Sequence, residues 1–325
     1  MKASIIATGS CVPGLPVPNS ALTQFPPERI SLIEQKTGIV SRHYAAPHES
    51  TSDLAFLAAT DCLNSCEFKA ENLDAIILAT STPDRLIPAT APLIQNRLGA
   101  TKAFAFDLNS VCSGALFALD VANSMITSGA RQHVLVIAAD TYSRFLDPRD
   151  FATRPYFGDG AAAVLLSATG NESKSEILTS YLRSDGSGAD LIQIPGGGSR
   201  TPGSSVSQPS DFFFKMNGRA VYEFAVQRGT EAVQQVLRQA GLTADALDWL
   251  IPHQANKFIC EEIAKRCGIP PDRMILNLQH KGNTAAASPL LALDDARSTY
   301  ERKLRTICLV AFGGGLSYGA MILRA

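Results

Sequence analysis

The sequence predicts an α/β protein built as two similar halves, and three observations carry that prediction. Continuous apolar runs recur along the chain, among them AIILATS (75–81), HVLVIAAD (133–140), AAAVLLS (161–167) and TICLVA (306–311). Runs apolar at successive positions read as strands buried on both faces. Segments with apolar spacing of three and four lie between them, as in TSDLAFLAATDCLNSC (51–66), and these read as helices. The order strand, helix, strand then appears once before a boundary near 168–175 and again after it, which implies crossover units in a layered fold. No sequence repeat accompanies this, so the duplication is one of pattern. The halves are 1–170 and 171–325, and stacked sheet to helix to sheet they make a five-layered α-β-α-β-α body.

The elements follow in order. Residues 3–10 are a first strand, and the proline-rich 11–28 a loop. A short helix covers 29–36. A second begins at Ser50, which has N-cap character, with an acid in its first turn. After the strand 75–81, ATAPLIQNRLG (89–99) is a helix closed by Gly99. KAFAFDL (102–108) is a strand that gives way to a helix led by Cys112 and ending near Gly129. The strands 133–140 and 161–167 flank a long loop. In the second half EILTSYLRS (176–184) is a strand, and IPGGGSRTPGSSVSQPS (194–210) a flexible surface loop. Residues 217–240 form a long amphipathic helix stopped by Gly241. DWLIPH (248–253) is a strand, 254–268 a helix, MILNL (274–278) a strand, and KGNTAAASPLLALDDARS (281–298) a turn running into a helix. TICLVAFGGGLSYGAMILRA (306–325) gives two strands around a glycine turn.

Composition narrows the function classes. With 325 residues and a formal net charge of −1, the chain has no basic block for nucleic acid. No run reaches the ~18 apolar residues of a membrane span. The apolar run at the N-terminus is shorter than a signal-peptide core, so a cytoplasmic protein is expected. The 7 cysteines are odd in number and scattered, which argues for free thiols. Cys62/Cys66 and Cys260/Cys267 bring no histidines at zinc spacing, so they read as core or surface thiols and no metal is expected. GDGAAA (158–163) spells a dinucleotide fingerprint, but it precedes a strand instead of opening a helix.

Cys112 stands out because it sits where a strand gives way to a helix. A thiol there faces unpaired N–H groups and the positive end of the helix dipole, so its pKa is expected below the ordinary ~8.5. The same stretch, taken alone, also fits a buried core cysteine. His253 ends the strand DWLIPH, Asn256 opens the following helix, and Asn283 lies in a turn between strand and helix. That edge of an α/β sheet is where ligands bind. A thiolate can hold an acyl group as a thioester. A neutral imidazole and a carboxamide can donate to a developing oxyanion, and backbone N–H groups of Cys112 and of the FGGG turn (312–315) can form a second donor set. A Cys-His-Asn set also serves proteolysis, with histidine as base, and the residues alone leave both uses open.

FDLNSVCSGALFALD, IPHQANKFI, KGNTAAASPL, AFGGGLSYGA, YFGDGAAAVLL and TGIVSRH together resemble β-ketoacyl-(acyl-carrier-protein) synthase III and its relatives in the thiolase-like superfamily, from about residue 3 to the C-terminus. The resemblance implies a thiolase fold and a homodimer. It implies that Cys112 takes an acyl group from acyl-CoA or another acyl thioester. His253 and Asn283 then bind the malonyl-carrier-protein thioester and favour its decarboxylation, with acyl carrier protein as partner and no cofactor. It puts Gly313, Gly314 and Gly315 at the tetrahedral oxyanion and Phe312 beside the nucleophile. It also carries the segment TPDRLIPAT (82–90) across to a partner's pocket, where Ile87 replaces an aromatic and leaves room for a longer or branched acyl chain.

The chain departs from the family at the donor entrance. Leu32 stands where a tryptophan is usual, Phe151 where an arginine is usual, and Lys257 and Phe258 follow PHQAN, while Lys36 keeps a positive charge. Lys does not replace Arg equivalently at phosphates. The entrance set Lys36, Phe151, Asn256 and Lys257 therefore raises a donor other than ordinary CoA thioester, or a specialised pathway. CoA held instead by Lys257, Arg149 or Arg154 is the alternative. Acyl transfer to an oxygen, nitrogen or sulfur acceptor without decarboxylation is the competing activity.

Overall fold

The structure, a computed structural model, describes residues 2–169, 175–299 and 305–324. The expected boundary between the halves, at 170/171, lies outside the described residues. The strands are β1 (Lys2–Cys11), β2 (Val17–Pro18), β3 (Ser41–Arg42), β4 (Ala75–Ala79), β5 (Phe104–Leu108), β6 (His133–Asp140), β7 (Gly160–Thr169), β8 (Glu176–Ser184), β9 (Ile192–Gln193), β10 (Lys215–Met216), β11 (Trp249–Pro252), β12 (Thr306–Gly313) and β13 (Ser317–Arg324). The helices are α1 (Pro27–Thr37), α2 (Thr51–Asn64), α3 (Ala91–Leu98), α4 (Gly114–Thr127), α5 (Gly218–Ala240), α6 (Lys257–Arg266), α7 (Leu278–Lys281) and α8 (Ser288–Thr299).

Nine strands form one run in the order β11-β12-β13-β8-β1-β7-β6-β4-β5. β4 pairs in parallel with β5 and β6, and β11 in parallel with β12, so each part contains the crossover geometry the alternating pattern predicts. Among the described residues the two parts pair edge to edge where Ser4 faces Glu176, with the Ile5 N–H donating to the Ser175 carbonyl at 2.9 Å.

Three apolar clusters make five layers. Leu54, Ala58 and Cys62 of α2 and Ile94 of α3 pack on Ile76, Leu78, Leu135 and Ile137. On the opposite face of those strands, Ile77 and Val136 pack on Leu116 and Leu119 of α4 and on Leu290 and Leu291 of α8. The same two helices meet Ile251, Leu309 and Met321 on their other side. Cys308, Val310 and Ile322 then face Val233 and Val236 of α5 and Ile263 of α6. Adjacent residues of β4 and β12 thus enter different clusters, which is why these strands are apolar at every position. The helix entries follow local chemistry as well. Ser50 and Asp53 form a capping box at α2, with the Ser50 N–H donating to Asp53 Oδ2 at 2.8 Å.

Two predicted elements differ. MILNL is no strand: it contributes one bridge, Met274 to Leu250, and then turns into α7. The buried Gln254 Oε1 accepts the N–H groups of Asn277 (3.0 Å) and Leu278 (3.3 Å), so a side chain satisfies what a sheet neighbour otherwise would. The helix predicted from 254 begins only at Lys257, because Asn256 is its N-cap and accepts the Phe258 N–H at 2.8 Å. No helix among the described residues is long and apolar enough to cross a membrane.

Candidate active site

Cys112 lies in a 3₁₀ turn, Val111–Ser113, between the end of β5 and the start of α4. Val111 has φ 45°, a region β-branched residues rarely adopt, at a cost of ~1–3 kcal/mol. The turn is held from the opposite part of the sheet: Ser113 Oγ lies 2.7 Å from Ser317 Oγ, which also reaches the Gly314 carbonyl at 2.9 Å. The glycine turn comes very close here. A Cβ on Gly313 would stand 2.9 Å from both Cβ and N of Cys112, a distance side chains do not tolerate. Gly313 is the one of the three glycines brought against Cys112. Gly314 lies against Ile192 and Val111, and Gly315 beside Ser317.

His253 follows β11, and its N–H donates to the Val310 carbonyl at 2.7 Å. Its Nδ1 lies 2.6 Å from Ser288 Oγ, at the first residue of α8. The same oxygen accepts the Gln254 N–H at 3.1 Å. We assign the Ser288 hydroxyl proton to the His253 bond, which leaves Nε2 carrying the imidazole proton. Burial lowers the His253 pKa to about 3, so the ring is neutral at ordinary pH and Nε2 is a donor. Phe312 packs edge-on against the ring, with centroids 5.3 Å apart.

Asn283 is fixed on both backbone sides by residues 156–158, which lead into the GDG motif. Its N–H donates to the Tyr156 carbonyl at 2.8 Å, and its carbonyl accepts the Gly158 N–H at 3.0 Å. Gly158 is close-packed here, since a Cβ on it would come within 2.2 Å of the Lys281 carbonyl oxygen. The motif that spells a nucleotide fingerprint is therefore a clamp on the Asn283 turn. Asn283 Oδ1 accepts the Ala285 N–H at 2.9 Å, which commits the oxygen and leaves the NH₂ end as the donor.

Cys112, His253 and Asn283 line one cavity of about 330 Å³. Its other walls are largely apolar, with Phe157, Ile192, Phe214, Met216, Tyr222 and Ile259 among them. Behind the nucleophile, Tyr142, Phe157 and Phe214 pack as an aromatic trio with centroids 5.0 to 5.4 Å apart. The expected drop in the Cys112 pKa is corrected here. Burial pushes the thiol well above its ordinary value, and the Asp140 carboxylate adds to the rise. Desolvation outweighs the helix end, because Cys112 is 8% exposed although it directly precedes the N-cap of α4, Ser113.

The entrance residues part company. Lys36 and Asn256 line the cavity, and Asn256 Nδ2 donates to the Lys36 carbonyl at 3.0 Å. Lys257 does not line it. Its ammonium pairs with Glu261 at 3.6 Å, and its stem covers Gly38. Phe151 packs edge-to-face with Phe25 (centroids 5.2 Å apart) and lies under the Arg29 guanidinium (5.5 Å). Arg154 points inward, over the Tyr44 ring and onto the Ser143 carbonyl, while Arg149 pairs with Asp147. Ile87 is 86% exposed and stands outside the cavity of its own chain. No cluster of three or more potential metal ligands occurs among the described residues.

Ser288 and Asp140 escaped the sequence reading. Each carries a faint signal: a serine at the first position of an apolar helix, and an acid ending an otherwise apolar strand.

Residues 106–186 match the family described as 3-oxoacyl-(acyl-carrier-protein) synthase III, and residues 237–325 match its C-terminal part. The β-ketoacyl-(acyl-carrier-protein) synthase III 3 of Streptomyces coelicolor is 43% identical, with 99% of this chain and 97% of that protein covered. The β-ketoacyl-(acyl-carrier-protein) synthase III of Agrobacterium fabrum is 42% identical, with 97% of each covered. Among solved structures, the 3-oxoacyl-(acyl carrier protein) synthase III of Pseudomonas aeruginosa superimposes with a TM-score of 0.91 at 36% identity, covering 100% of this chain and 98% of that one. The priming β-ketosynthase of the R1128 polyketide pathway gives 0.89 at 29% identity, covering 99% and 96%.

Proposed function

The chain belongs to the 3-oxoacyl-(acyl-carrier-protein) synthase III family of condensing enzymes, and from that premise we propose how its residues divide the reaction. The observation that carries the proposal is the convergence of Cys112, His253 and Asn283 on one apolar cavity, with Gly313 packed against the Cys112 backbone and Cβ.

Cys112 sulfur attacks the carbonyl of an acyl thioester. The donor's thiolate leaves and takes up the cysteine proton, and an acyl-Cys112 thioester remains. A malonyl thioester on carrier protein then enters. The His253 Nε2–H and the Asn283 carboxamide donate to its thioester oxygen. As the bond to the carboxylate breaks, CO₂ departs and the electron pair becomes an enolate held by those two donors. The enolate carbon attacks the acyl-Cys112 carbonyl, with the Cys112 and Gly313 region as the second donor site. Collapse of the tetrahedral intermediate expels the Cys112 thiolate and a 3-oxoacyl product. A neutral, permanently donating imidazole suits this role better than that of a base, which would need to accept the thiol proton and hold it.

We read the chain as two thiolase-like halves, 1–170 and 171–325, acting in the cytoplasm as a homodimer. Support for the dimer is the exposure of Leu86 (80%) and Ile87 (86%) on the segment after β4, together with Phe104 on the edge strand β5. The acyl donor reaches the cavity past Lys36 and Asn256. With Phe151 packed edge-to-face on Phe25 and Arg154 turned inward, few fixed cations remain there for CoA phosphates, which favours a donor carried by protein or recognised by its pantetheine arm.

The test is intact-protein mass spectrometry after exposure to a pool of acyl-CoAs and acyl-carrier proteins. One acyl adduct is expected, absent in Cys112→Ala, and discharged by malonyl-carrier protein. An adduct discharged by an oxygen, nitrogen or sulfur acceptor and untouched by malonyl-carrier protein would replace condensation with simple acyl transfer.

A further inference from the structure

Asp140, the last residue of β6, is completely buried and is used by none of the steps above. Its carboxylate is enclosed by donors from two distant parts of the chain. Oδ1 accepts the Ser81 N–H at 2.9 Å, the Ser81 hydroxyl at 3.0 Å and the Thr82 hydroxyl at 3.1 Å, with Thr80 Oγ1 at 3.3 Å. Oδ2 accepts the Ala286 N–H at 3.0 Å. The first set is the segment leaving β4, and the second lies in the turn that carries Asn283.

That turn needs an anchor. Ala285 has φ 47°, a strained position for a residue with a Cβ. The N–H of Ala285 is held by Asn283 itself, and the N–H of Ala286 by Asp140. The Asn283 carboxamide is therefore aimed through a chain of contacts that ends on a buried anion. The same anion lies close enough to Cys112 and Tyr142 to act on both electrostatically, and Tyr142 reaches back to Ser81 Oγ at 2.8 Å. Hydrogen bonds to a buried charge are among the stronger ones, roughly twice a neutral pair.

We propose that Asp140 is a positioning residue for condensation: its carboxylate clamps the Asn283 turn to the Thr80–Thr82 segment behind Cys112 and so sets the direction of the Asn283 donor. This rests on the condensing reading above. The expected signature is selective. Loss of the clamp misdirects the donor that meets malonyl-carrier protein, while the Cys112 turn keeps its own anchors on Ser317.

The test compares the wild-type chain with Asp140→Asn and Asp140→Glu. Release of CO₂ from malonyl-carrier protein reads the Asn283 side. Iodoacetamide alkylation of Cys112, followed by intact mass, reads the nucleophile side. Asp140→Asn is expected to lower kcat for CO₂ release about 10- to 100-fold with little change in KM, while Cys112 is alkylated at least as fast as in wild type. Asp140→Glu keeps the charge and is expected to recover a measurable part of kcat. Wild-type kcat in Asp140→Asn overturns the proposal. So does a parallel loss of CO₂ release, alkylation and thermal stability, the mark of a core residue. A wild-type chain that releases no CO₂ refutes the condensing reading itself, and this proposal falls with it.

Discussion

Replacing Ser288 by alanine isolates the contact that sets the histidine tautomer. The substitution removes one oxygen, which lies 2.6 Å from His253 Nδ1 and 3.1 Å from the Gln254 N–H. Two buried groups lose their partner. For the Gln254 N–H the cost falls on stability, about 1–3 kcal/mol for an unsatisfied buried donor. For His253 it falls on chemistry. The hydroxyl favours the Nε2–H form by about the net worth of one hydrogen bond, ~1 kcal/mol. It also holds the ring plane, and about 1.4 kcal/mol off a barrier is tenfold in rate. Ser288→Ala is therefore expected to lower kcat for malonyl-carrier-protein decarboxylation about 5- to 20-fold, with KM within about twofold, since donor geometry at the transition state is what is lost. Ser288→Thr, which keeps a hydroxyl, is expected to fall between the two. The assay is CO₂ release at saturating malonyl-carrier protein, with thermal melting run alongside. Full kcat in Ser288→Ala, with the expected loss of stability, would refute the tautomer argument.

Other outcomes follow from the same geometry. Gly313→Ala drives a methyl to 2.9 Å from Cys112 and is expected to slow both alkylation and acylation of the thiol, read by intact mass over time. His253 is held near pKa 3 when folded and titrates near ~6.5 when unfolded, so the unfolded chain binds the extra proton between those values. This histidine therefore removes stability as pH falls from ~6.5 toward 3. Asp140, raised by burial to about 6, works the other way: its contribution is full below ~3.8 and lost as pH rises through 6. The drop in melting temperature between pH 7.5 and pH 5 is expected to be smaller in His253→Ala than in wild type. Ile87→Glu puts a charge on the most exposed apolar segment and is expected to shift light scattering toward the monomer; an unchanged molar mass would remove this segment from the dimer interface.

Much of the fold is legible in the residues because its strands are apolar on both faces. The predicted strands 133–140 and 176–184 coincide with β6 and β8. The reading fails where a distant side chain replaces a backbone partner. MILNL has strand composition, yet Gln254 takes the N–H groups of Asn277 and Leu278. The strand-end placement of Cys112, His253 and Asn283 is visible, because buried strands stop at polar residues. Their supports are not. Asp140 meets Ala286 across 146 positions, and Ser288 meets His253 across 35. The thiol's environment is also invisible locally: its raised pKa comes from burial, with the Asp140 carboxylate adding to it, in a cluster with Phe157 and Phe214 that only the folded chain assembles. Composition likewise hides that Phe151 and Arg154 are engaged with neighbours instead of lining the entrance.

The most direct measurement follows the carbon. The protein, acylated at Cys112 by the donor that mass spectrometry identifies, is mixed with malonyl-carrier protein labelled in its free carboxylate. Labelled CO₂ is expected in one-to-one ratio with 3-oxoacyl-carrier protein, with product formation abolished in Cys112→Ala and both strongly reduced in Asn283→Ala. Loss of the acyl group from Cys112 with the malonyl carboxylate left intact would contradict condensation at this site.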